Sequence, residues 1–462
     1  MAVRIGNGAG FWGDELAAPL RLVERAELDY LTLEYLAELS MSILARQREK
    51  QPQLGYAGDF LEVLASLVPQ LRRQPGLKLI TNAGGMNPRG CVMAAARTLC
   101  DAGLGECAIA AVDGDDLLGR WTQLQAEGVE FRHLDTGVGL AERLAATPAA
   151  KVVAANAYLG ARPIVDALAS GARIVVTGRV ADASLSVAPA VHECGWAWND
   201  WDRLAGASVA GHVIECGAQA TGGYFSGWRD VNFRDLGFPI AEIDSDGGCV
   251  ITKALGGGVV NRRTVVSQLV YEIGDPRHYL TPDVDVDFTT LRLAEIGPDR
   301  VQLAGATGQA PPDSYKVSLA YHDGYATSGQ LLVYGADCRD KAIACAEMML
   351  ARLRDTGAEP EHHLVELLGA GDGVPGVGKE SSAPRELMLR ISVRDRRRDV
   401  VERFTRQFAP LITGGPPGLA GYATARSDVR PVYAYWPTLV PKSLVEATID
   451  VRPAREWSSI HR

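Results

Sequence analysis

Three side chains in the segment 211–224, which reads GHVIECGAQATGGY, have the types and spacing of a chemical site. If this segment is helical, His212, Glu215 and Cys216 occupy positions i, i+3 and i+4 and lie on one face. An imidazole beside a carboxylate and a thiol can act as an acid/base pair, as an activated thiolate or as part of a metal site. A buried helix whose histidine is bonded to a neighbouring glutamate has the same spacing. We take these three residues as the candidate catalytic group.

Metal binding is the least favoured of these roles. No second histidine or cysteine pair lies nearby to complete a ligand set, so we predict no metal. Gln219 and Thr221 follow the catalytic candidates and precede two glycines. Their amide and backbone donors can hold a carbonyl or a phosphate, and we assign both residues to substrate binding.

Polar residues also cluster in the turns that follow short apolar runs. The runs are 3–7, 30–36, 77–83, 107–114, 151–160 and 172–178. Near-continuous apolar runs separated by helix-like stretches predict a parallel sheet covered on both faces. In such a sheet these turns share the carboxyl edge, where α/β proteins bind ligands. The substrate-binding candidates at this edge are Asn7, Asp14, Asn82, Gly84, Gly85, Asn87, Cys91, Asp113, Asn156, Arg179 and Asp182.

Several of these candidates have two possible roles. The asparagines and glycines of TNAGGMNPRGC can hold a carboxylate or thioester oxygen, and Cys91 is either an activated thiol in the first turn of a helix or a plain small residue. Arg179 and Asp182 either bind and polarise a substrate or close their turn as an ion pair. Lys253 either clamps an anion in the cleft or lies on the surface.

The pattern of elements predicts an α/β protein of three parts and a linker. Residues 1–200 form an α/β domain, and its uneven strand spacing favours a mostly parallel open sheet with flanking helices over a closed barrel. Residues 201–368 form a mixed α+β section that completes the site and contains a hairpin with the turn DSDGG. Residues 369–386 are a glycine-rich loop or linker, and residues 387–462 are a small α+β domain.

The opening stretch RIGNGAGFWGDE raises the possibility of a dinucleotide site. Gly8, Gly10 and Gly13 follow the order G-x-G-x-x-G, and Glu34 stands about 20 residues further on. Two bulky aromatic rings follow Gly10, where a pyrophosphate would have to approach the backbone. A dinucleotide-dependent oxidoreductase is therefore the weaker alternative, and we expect the glycines to let backbone approach a ligand closely.

Composition indicates a globular protein of a reducing compartment. The 462 residues are 47% hydrophobic and carry a net charge of −9, which argues against nucleic acid or an anionic membrane as the main partner. The eight cysteines include no C-x-x-C pair, so neither a disulfide framework nor a zinc finger is indicated. With no charged-then-apolar leader and no apolar stretch long enough to span a bilayer, we expect a cytoplasmic protein that binds a small molecule.

Several longer phrases resemble one known family. GNGAGFWGD, TNAGGMNP, TGRVADAS, GHVIECGAQATGGYF, GFPIAEI, VITK, YEIGDPRHYLTPDV and PPDSYKVS are similar to phrases of the acyclic terpene utilisation AtuA family. The resemblance covers residues 3–335. The part after residue 385 resembles the ferredoxin-like C-terminal domain found with many members, which implies that fold for the small α+β domain.

The resemblance also implies a substrate class. Members of the family occur with acyl-CoA carboxylases, dehydrogenases and hydratases of terpenoid and branched acyl-CoA breakdown. We therefore expect a branched or terpenoid carboxylic acid, or its CoA thioester, as the substrate. With the acid/base pair His212 and Glu215, this predicts a hydratase, lyase or isomerase step that needs no cofactor beyond the CoA of the substrate.

A different class of function fits the same chain. It could be a non-catalytic acyl-CoA-binding or scaffold subunit that contacts a carboxylase or hydratase partner. The basic segment 394–403 and the aromatic phrase VYAYWP would then be its contact surfaces. We also expect a homo-oligomer, because the small residues of segment 204–218 are typical of close helix packing.

Overall fold

The computed structural model describes residues 2–147, 150–374, 376–377, 384–421 and 426–460. Its strands are β1 Val3–Asn7, β2 Tyr30–Leu33, β3 Lys78–Thr81, β4 Ala108–Asp113, β5 Val152–Ala157, β6 Ile174–Thr177, β7 Pro239–Ile243, β8 Cys249–Lys253, β9 Tyr279–Leu280, β10 Asp285–Asp287, β11 Arg292–Gly297, β12 Arg300–Ala304, β13 Thr307–Gln309, β14 Ser314–Tyr334, β15 His362–Leu368, β16 Glu386–Asp395, β17 Leu419–Ala420, β18 Arg430–Pro441 and β19 Thr448–Pro453. Its α-helices are α1 Ala18–Arg25, α2 Glu38–Lys50, α3 Asp59–Arg73, α4 Pro88–Asp101, α5 Trp121–Ala126, α6 Leu140–Ala145, α7 Arg162–Ala169, α8 Ser184–Cys194, α9 Trp201–Ile214, α10 Arg262–Leu269, α11 Cys338–Asp355, α12 Arg398–Phe404, α13 Leu411–Gly414 and α14 Ala454–Ser459.

The chain divides into two compact units. Unit 1 comprises Met1–Ala141, Val153–Ala320 and Tyr435–Arg462, and unit 2 comprises Glu142–Val152 and Tyr321–Ala434. The four segments predicted from the sequence, including the ferredoxin-like domain 387–462, are not confirmed by this division. In the predicted linker, residues 375 and 378–383 lie outside the described residues.

Unit 1 is built on a mixed sheet of ten strands. Their order is β11-β12-β8-β7-β1-β2-β3-β6-β4-β19. The neighbours β1–β2, β2–β3, β3–β6 and β6–β4 are parallel, and the remaining neighbours are antiparallel. The predicted α/β class is confirmed. The expectation of a mostly parallel sheet is corrected, because parallel strands form only its centre and antiparallel strands extend it on both sides.

One predicted strand of the parallel sheet lies elsewhere. β5 pairs with β14, and its residues also bond the loop after β4, where the amide of Leu117 donates to the carbonyl of Ala155. The physical reason is that neither β4 nor β6 has a vacant edge: β4 lies between β6 and β19, and β6 lies between β3 and β4.

The apolar sequence of the central strands explains their place in the core. All four residues of β2 and of β6 are buried, as a strand covered on both faces requires. The helices α3 and α4 contribute apolar side chains such as Phe60, Leu64 and Leu99 to the same core. Because five central strands are parallel, the residues that follow them emerge at one edge of the sheet.

Helix α9 uses small residues to pack closely within unit 1. A Cβ at Gly206 would collide with the carbonyl oxygen of Gly247, and one at Gly211 would lie 2.8 Å from the carbonyl oxygen of Ala183. This packing fixes the last turn of α9 and the residues that follow it. The DSDGG turn joins the antiparallel strands β7 and β8, as predicted.

Unit 2 contains a second sheet. The order of its strands is β15-β16-β14-β17, and buried and less buried residues alternate along β16. This alternation is that of a strand with one face on a core, which α11 and α12 complete with residues such as Met349 and Phe404. Within the described part of the chain, no helix has the length and apolar character needed to cross a membrane.

Candidate functional site

A cavity of about 280 Å³ lies in unit 1 beside the carboxyl ends of the central strands. Four elements supply most of its polar wall: the start of α2, the loop after β6, the end of α9 and the start of β14. Its lining residues are Glu38, Tyr158, Arg179, Ala181, Asp182, His212, Glu215, Glu272, Tyr279, Leu280, Thr281, Pro282, Pro312, Ser314, Lys316 and Leu439. Four of the predicted site residues therefore share one cavity: Arg179, Asp182, His212 and Glu215.

Arg179 is a buried cation at the end of β6. Its Nη1 donates to the carbonyl oxygen of Leu36 at 2.7 Å, and its Nη2 lies 3.0 Å from Oδ1 of Asp182. The guanidinium also lies 4.1 Å from the ring centre of Tyr158. Arg179 is 1% exposed, so these contacts compensate for removing its charge from water. Of the two roles predicted for Arg179 and Asp182, the ion pair is present, and it faces the cavity.

Burial and neighbouring charges together set the charge state of Asp182. Burial is the largest influence and, with the charge of Glu215, raises the pKa of Asp182 to about 7 against the opposing effect of Arg179. Its side chain nevertheless keeps 33% of its surface accessible. The burial that raises its pKa and this accessible surface are compatible, because Asp182 lines the cavity and its accessible surface opens into it.

Glu38 is held as an ionised carboxylate in the same cavity. The Tyr158 hydroxyl donates to Glu38 Oε1 at 2.7 Å, and Lys316 Nζ lies 3.4 Å from that oxygen. Burial opposes ionisation, but the bond from Tyr158 and the charges of Arg179 and Lys316 outweigh it and lower the pKa of Glu38 to about 2. Glu38, Tyr158, Arg179 and Lys316 thus form one connected polar group in the cavity lining.

His212 and Glu215 form a second polar group in the cavity lining. His212 Nε2 lies 3.0 Å from the carbonyl oxygen of Gln268, which accepts only, so Nε2 carries a hydrogen and Nδ1 faces Glu215 Oε1 at 3.3 Å. Burial lowers the pKa of His212, but the carboxylate of Glu215 outweighs it and the pKa is raised. Nδ1 is at ion-pair distance from Glu215, and neither Nδ1 nor Glu215 Oε2 has a hydrogen-bond partner among the described residues, so both can bond to a ligand.

Aromatic and aliphatic side chains accompany these polar groups. The ring of His212 packs against Tyr279 and Phe288, with ring centres 5.3 and 5.6 Å apart. Leu280, Pro312 and Leu439 also line the cavity. The cavity therefore offers both charged groups and hydrocarbon surface to a ligand.

Asn7 and Asn156 support residues of the cavity wall through hydrogen bonds. Asn7 Nδ2 donates to the carbonyl oxygens of Ile214 and Glu215, at 2.7 and 2.8 Å. Asn156 Nδ2 donates at 2.8 Å to Asp115, which also accepts from the backbone amide of Arg179 at 2.9 Å. Both asparagines thus position residues that line the cavity, and among the described lining residues neither of them is present.

Asn82 has a similar supporting place. Its Nδ2 donates to the buried carboxyl group of Glu34, and its Oδ1 accepts from the amide of Tyr35 at 2.8 Å. Glu34 lies 4.0 Å from Arg179, and burial raises its pKa well above the ordinary value. Asn82 therefore fixes the chain after β2 that carries Leu36 and Glu38 to the cavity.

Other predicted residues hold turns together. Asn87 caps α4 by accepting from the amide of Gly90 at 3.0 Å. Burial raises the pKa of Cys91 far above its ordinary value, which favours the plain small residue over the activated thiol. A Cβ at Gly84 would lie 2.5 Å from the carbonyl oxygen of Thr177, and one at Gly85 would collide with Leu44, so these glycines allow the turn after β3 to pack.

Cys216 and its neighbours lie next to the cavity without entering it. Burial raises the pKa of the Cys216 thiol, and the charge of Glu215 adds to this, so a thiolate is disfavoured. Thr221 donates to the carbonyl oxygen of Ala218 at 3.0 Å. Within the described lining, Cys216, Gln219 and Thr221 are not present.

Asp113 and Lys253 are engaged in ion pairs. Asp113 Oδ2 lies 2.8 Å from Arg89 Nε, and Lys253 Nζ lies 3.4 Å from Asp299 Oδ2. Neither residue is among the described residues that line the cavity. For Lys253 these contacts favour the structural role over the anion clamp.

The opening glycines are covered by the chain itself. A Cβ at Gly10 would lie 2.6 Å from the carbonyl carbon of Cys216, and the amide of Gly10 donates to Asp14 Oδ2 at 2.8 Å. The backbone at Gly10 therefore closely approaches the residues after α9, where the sequence had predicted close approach to a ligand. Because backbone of the chain itself fills the space beside Gly10, this contact weighs against the dinucleotide alternative.

The contact surfaces of the scaffold alternative are partly occupied as well. In the basic segment, Arg394 pairs with Asp323, and Arg398 Nε lies 2.7 Å from Glu402 Oε1. In VYAYWP, Trp436 is buried and donates to the carbonyl oxygen of Phe131 at 2.8 Å.

Several lining residues were not predicted: Glu38, Tyr158, Glu272, Tyr279 and Lys316. The first two lie in the same strand-end turns as the residues that were chosen. The others fall within the phrases YEIGDPRHYLTPDV and PPDSYKVS, which carried the resemblance but lie outside those turns. Their place in phrases that carried the resemblance was a signal that could have drawn attention to these segments, although it does not single out these residues within them.

Comparison with protein-family models matches residues 3–451 to "Acyclic terpene utilisation family protein AtuA". No significant match was found among curated proteins or among solved structures. Because the family match covers nearly the whole chain, this protein belongs to the AtuA family, which links it to acyclic terpene utilisation.

Proposed function

We propose that this protein is a cytoplasmic enzyme that transfers protons on a branched or terpenoid carboxylic acid or its CoA thioester. The step adds or removes water, or moves a double bond, and needs no redox cofactor. The substrate class is supported by membership of the AtuA family. The chemistry is supported by the side chains of the cavity.

The observation that carries the proposal is that His212 and Glu215 face the same cavity as Arg179 and Lys316. The cations supply positive charge where a carboxylate or a polarised thioester oxygen would lie. The histidine–glutamate pair supplies a group that takes up a proton from carbon or from water. The aliphatic wall suits a hydrocarbon chain.

The size of the cavity supports an acyl group as the part that enters. Its volume of about 280 Å³ is at the lower end of the range for small-molecule sites. The nucleotide part of a CoA thioester would then remain outside, so free acids and thioesters are both to be tested.

The test uses 3-methylbut-2-enoyl-CoA, 3,7-dimethylocta-2,6-dienoyl-CoA and the two free acids, incubated in deuterated water and followed by mass spectrometry. We expect deuterium incorporation with the wild type and a loss of about 100-fold or more in Glu215→Gln and His212→Asn. Asp166→Asn, which changes an exposed carboxyl group on α7, is the matched control. Equal incorporation in the wild type and both site variants would refute the assigned roles.

A further inference from the structure

We propose that Asp182 is a second proton-transfer group of this cavity, so that the reaction adds water to, or removes it from, a double bond next to the substrate carbonyl. This inference rests on the proposed function and chooses between its two chemistries. Moving a double bond needs one group that takes up and returns a proton. Loss of water needs a base for the carbon and an acid for the departing hydroxyl.

The position of Asp182 favours this role. Its Oδ1 lies 3.0 Å from Arg179 Nη2, and its side chain lines the cavity with 33% of its surface accessible. The carboxylate of Glu215 lines the same cavity and is close enough for its charge to act on Asp182. A substrate bound in this cavity can therefore contact both carboxyl groups.

The surroundings of Asp182 also favour a carboxyl group that holds a proton near neutral pH. Burial and the carboxylates Glu215 and Glu38 raise its pKa, while Arg179 and Lys316 oppose them. Glu38, in the same cavity, is held ionised by Tyr158 and its neighbouring cations. Carboxyl groups whose surroundings push their pKa values apart take different roles in acid/base catalysis. The groups that act electrostatically with Asp182 are Arg179, Glu34, Glu38, Glu215, Lys316, Tyr158, Tyr279 and Cys216.

The step balances with a 3-hydroxyacyl substrate. Glu215 takes the proton from the carbon next to the carbonyl, and the electron pair of that C–H bond becomes the new C=C bond. The C–O bond at the next carbon breaks, its electron pair stays on oxygen, and Asp182 donates the proton that converts this oxygen to water. Glu215 then holds one proton more and Asp182 one fewer, and exchange with solvent returns both to their starting states. Hydration is the reverse.

The experiment compares two leaving groups on one acyl chain. The probes are 3-hydroxy-3-methylbutanoyl-CoA, which must lose water, and 3-chloro-3-methylbutanoyl-CoA, whose chloride leaves without a proton. In Asp182→Asn we expect kcat for loss of water to fall by about 100-fold or more, and kcat for loss of chloride above the uncatalysed rate to fall by less than about tenfold. Glu215→Gln is expected to slow both eliminations, and Asp166→Asn neither.

Each other outcome overturns the inference. Equal losses on both probes in Asp182→Asn would show a structural role, and undiminished loss of water would show that no acid is needed at this position. If the wild type eliminates neither leaving group but incorporates deuterium into the enoyl probes, the proposed proton transfer stands and the water-elimination step is refuted. If the wild type does neither, the proposed function fails together with the inference. Circular dichroism and the unfolding temperature of Asp182→Asn verify that the variant is folded.

Discussion

Asn7, the last residue of the first strand, holds the backbone that carries Glu215 into the cavity, 208 positions later in the chain. Its amide group donates to the carbonyl oxygens of Ile214 and Glu215. These oxygens lie at the end of α9, where no following helical turn supplies backbone N–H donors for them. Thr32 on the adjacent strand lies 3.1 Å from Asn7 Oδ1, so its hydroxyl fixes the orientation of the amide. One buried asparagine thereby joins the central sheet to the candidate proton-transfer group.

Replacing Asn7 by aspartate is expected to disrupt this connection. The carboxylate cannot donate, so two buried carbonyl oxygens lose their partner and face negative charge, at a cost of about 2 kcal/mol or more in the free energy of unfolding. Urea unfolding measures this loss, and deuterium incorporation into the acyl probes measures the displacement of Glu215.

Asn261→Asp is the matched control for this substitution. Asn261 caps α10 by accepting from the amides of Arg263 and Thr264, which a carboxylate does equally well. We expect its stability to change by less than about 0.5 kcal/mol. If the two variants lose equal stability, the bonds donated by Asn7 are not responsible.

Arg179→Lys tests the buried cation. Lysine keeps the charge but cannot contact the Leu36 carbonyl, Asp182 and the ring of Tyr158 together. We expect a loss of about 3 kcal/mol in the free energy of unfolding and weaker binding of the acyl probes. Arg162→Lys, in which an exposed arginine lies over the ring of Trp198, should lose less than about 0.5 kcal/mol. Similar losses in both would show that the contacts of Arg179 do not stabilise the fold.

The fold was predictable where the local pattern determines the structure. The apolar runs of β1, β2, β3, β4 and β6 have no alternative to burial, and their parallel pairing follows from the helices between them. The antiparallel strands at the two edges of the sheet depend on pairing between distant segments, such as β19 with β4, which no local pattern encodes. The pairing of β5 with β14 is likewise a contact between distant segments, which the apolar run of β5 does not encode.

The site was predictable to the extent that it follows strand ends and helix periodicity. His212 and Glu215 were found from the spacing on α9, and Arg179 and Asp182 from the turn after β6. Spacing could not separate side chains that reach the cavity from those that support them, since Asn7 and Arg179 occupy equivalent strand ends. Lys316 lies within the long strand β14, where nothing local distinguishes it from its neighbours.

The pH dependence of stability should reveal the buried Asp115. Burial is the largest cause and raises the pKa of Asp115 from 3.8 to about 7, so the folded state favours its protonated form. Its contribution to stability is therefore fully present below pH 4 and lost as pH rises through 7. Asp115→Asn removes this titration, and its stability relative to the wild type should increase between pH 4 and 8 by up to about 4 kcal/mol in urea unfolding.

Asp395→Asn is the control of opposite sign. Burial opposes ionisation of Asp395, but bonds from Arg397 and Glu361 outweigh it and its pKa is lowered. This contribution is present above pH 4 and lost as pH falls, so the variant should be less stable than the wild type at pH 8 and approach it at low pH. If both variants show the same trend with pH, burial of Asp115 is not its cause.

Cys216 should behave as a protected thiol. Because burial and Glu215 raise its pKa, little thiolate is present at pH 8, and iodoacetamide reacts with the thiolate. We expect its alkylation in the native protein to be at least about tenfold slower than in protein unfolded in urea, measured by peptide mass spectrometry. Alkylation of native Cys216 at the unfolded rate would instead support the activated thiolate that the sequence left open.

Gly10→Ala distinguishes the two explanations of the opening glycines. If the turn exists to admit a dinucleotide, an added methyl group should impair only the binding of that ligand. The structure instead places the new Cβ 2.6 Å from the carbonyl carbon of Cys216, so the backbone that follows Glu215 must move. We therefore expect nucleotide-free Gly10→Ala to lose about 1–3 kcal/mol in the free energy of unfolding and to incorporate less deuterium into the acyl probes.

Gly58→Ala is the control, because φ is −64° there and a Cβ meets nothing within 4 Å, so its stability should stay the same or rise slightly. If Gly10→Ala is as stable as the wild type, and if the wild type binds NAD(P) but the variant does not, the dinucleotide interpretation of this turn is supported instead.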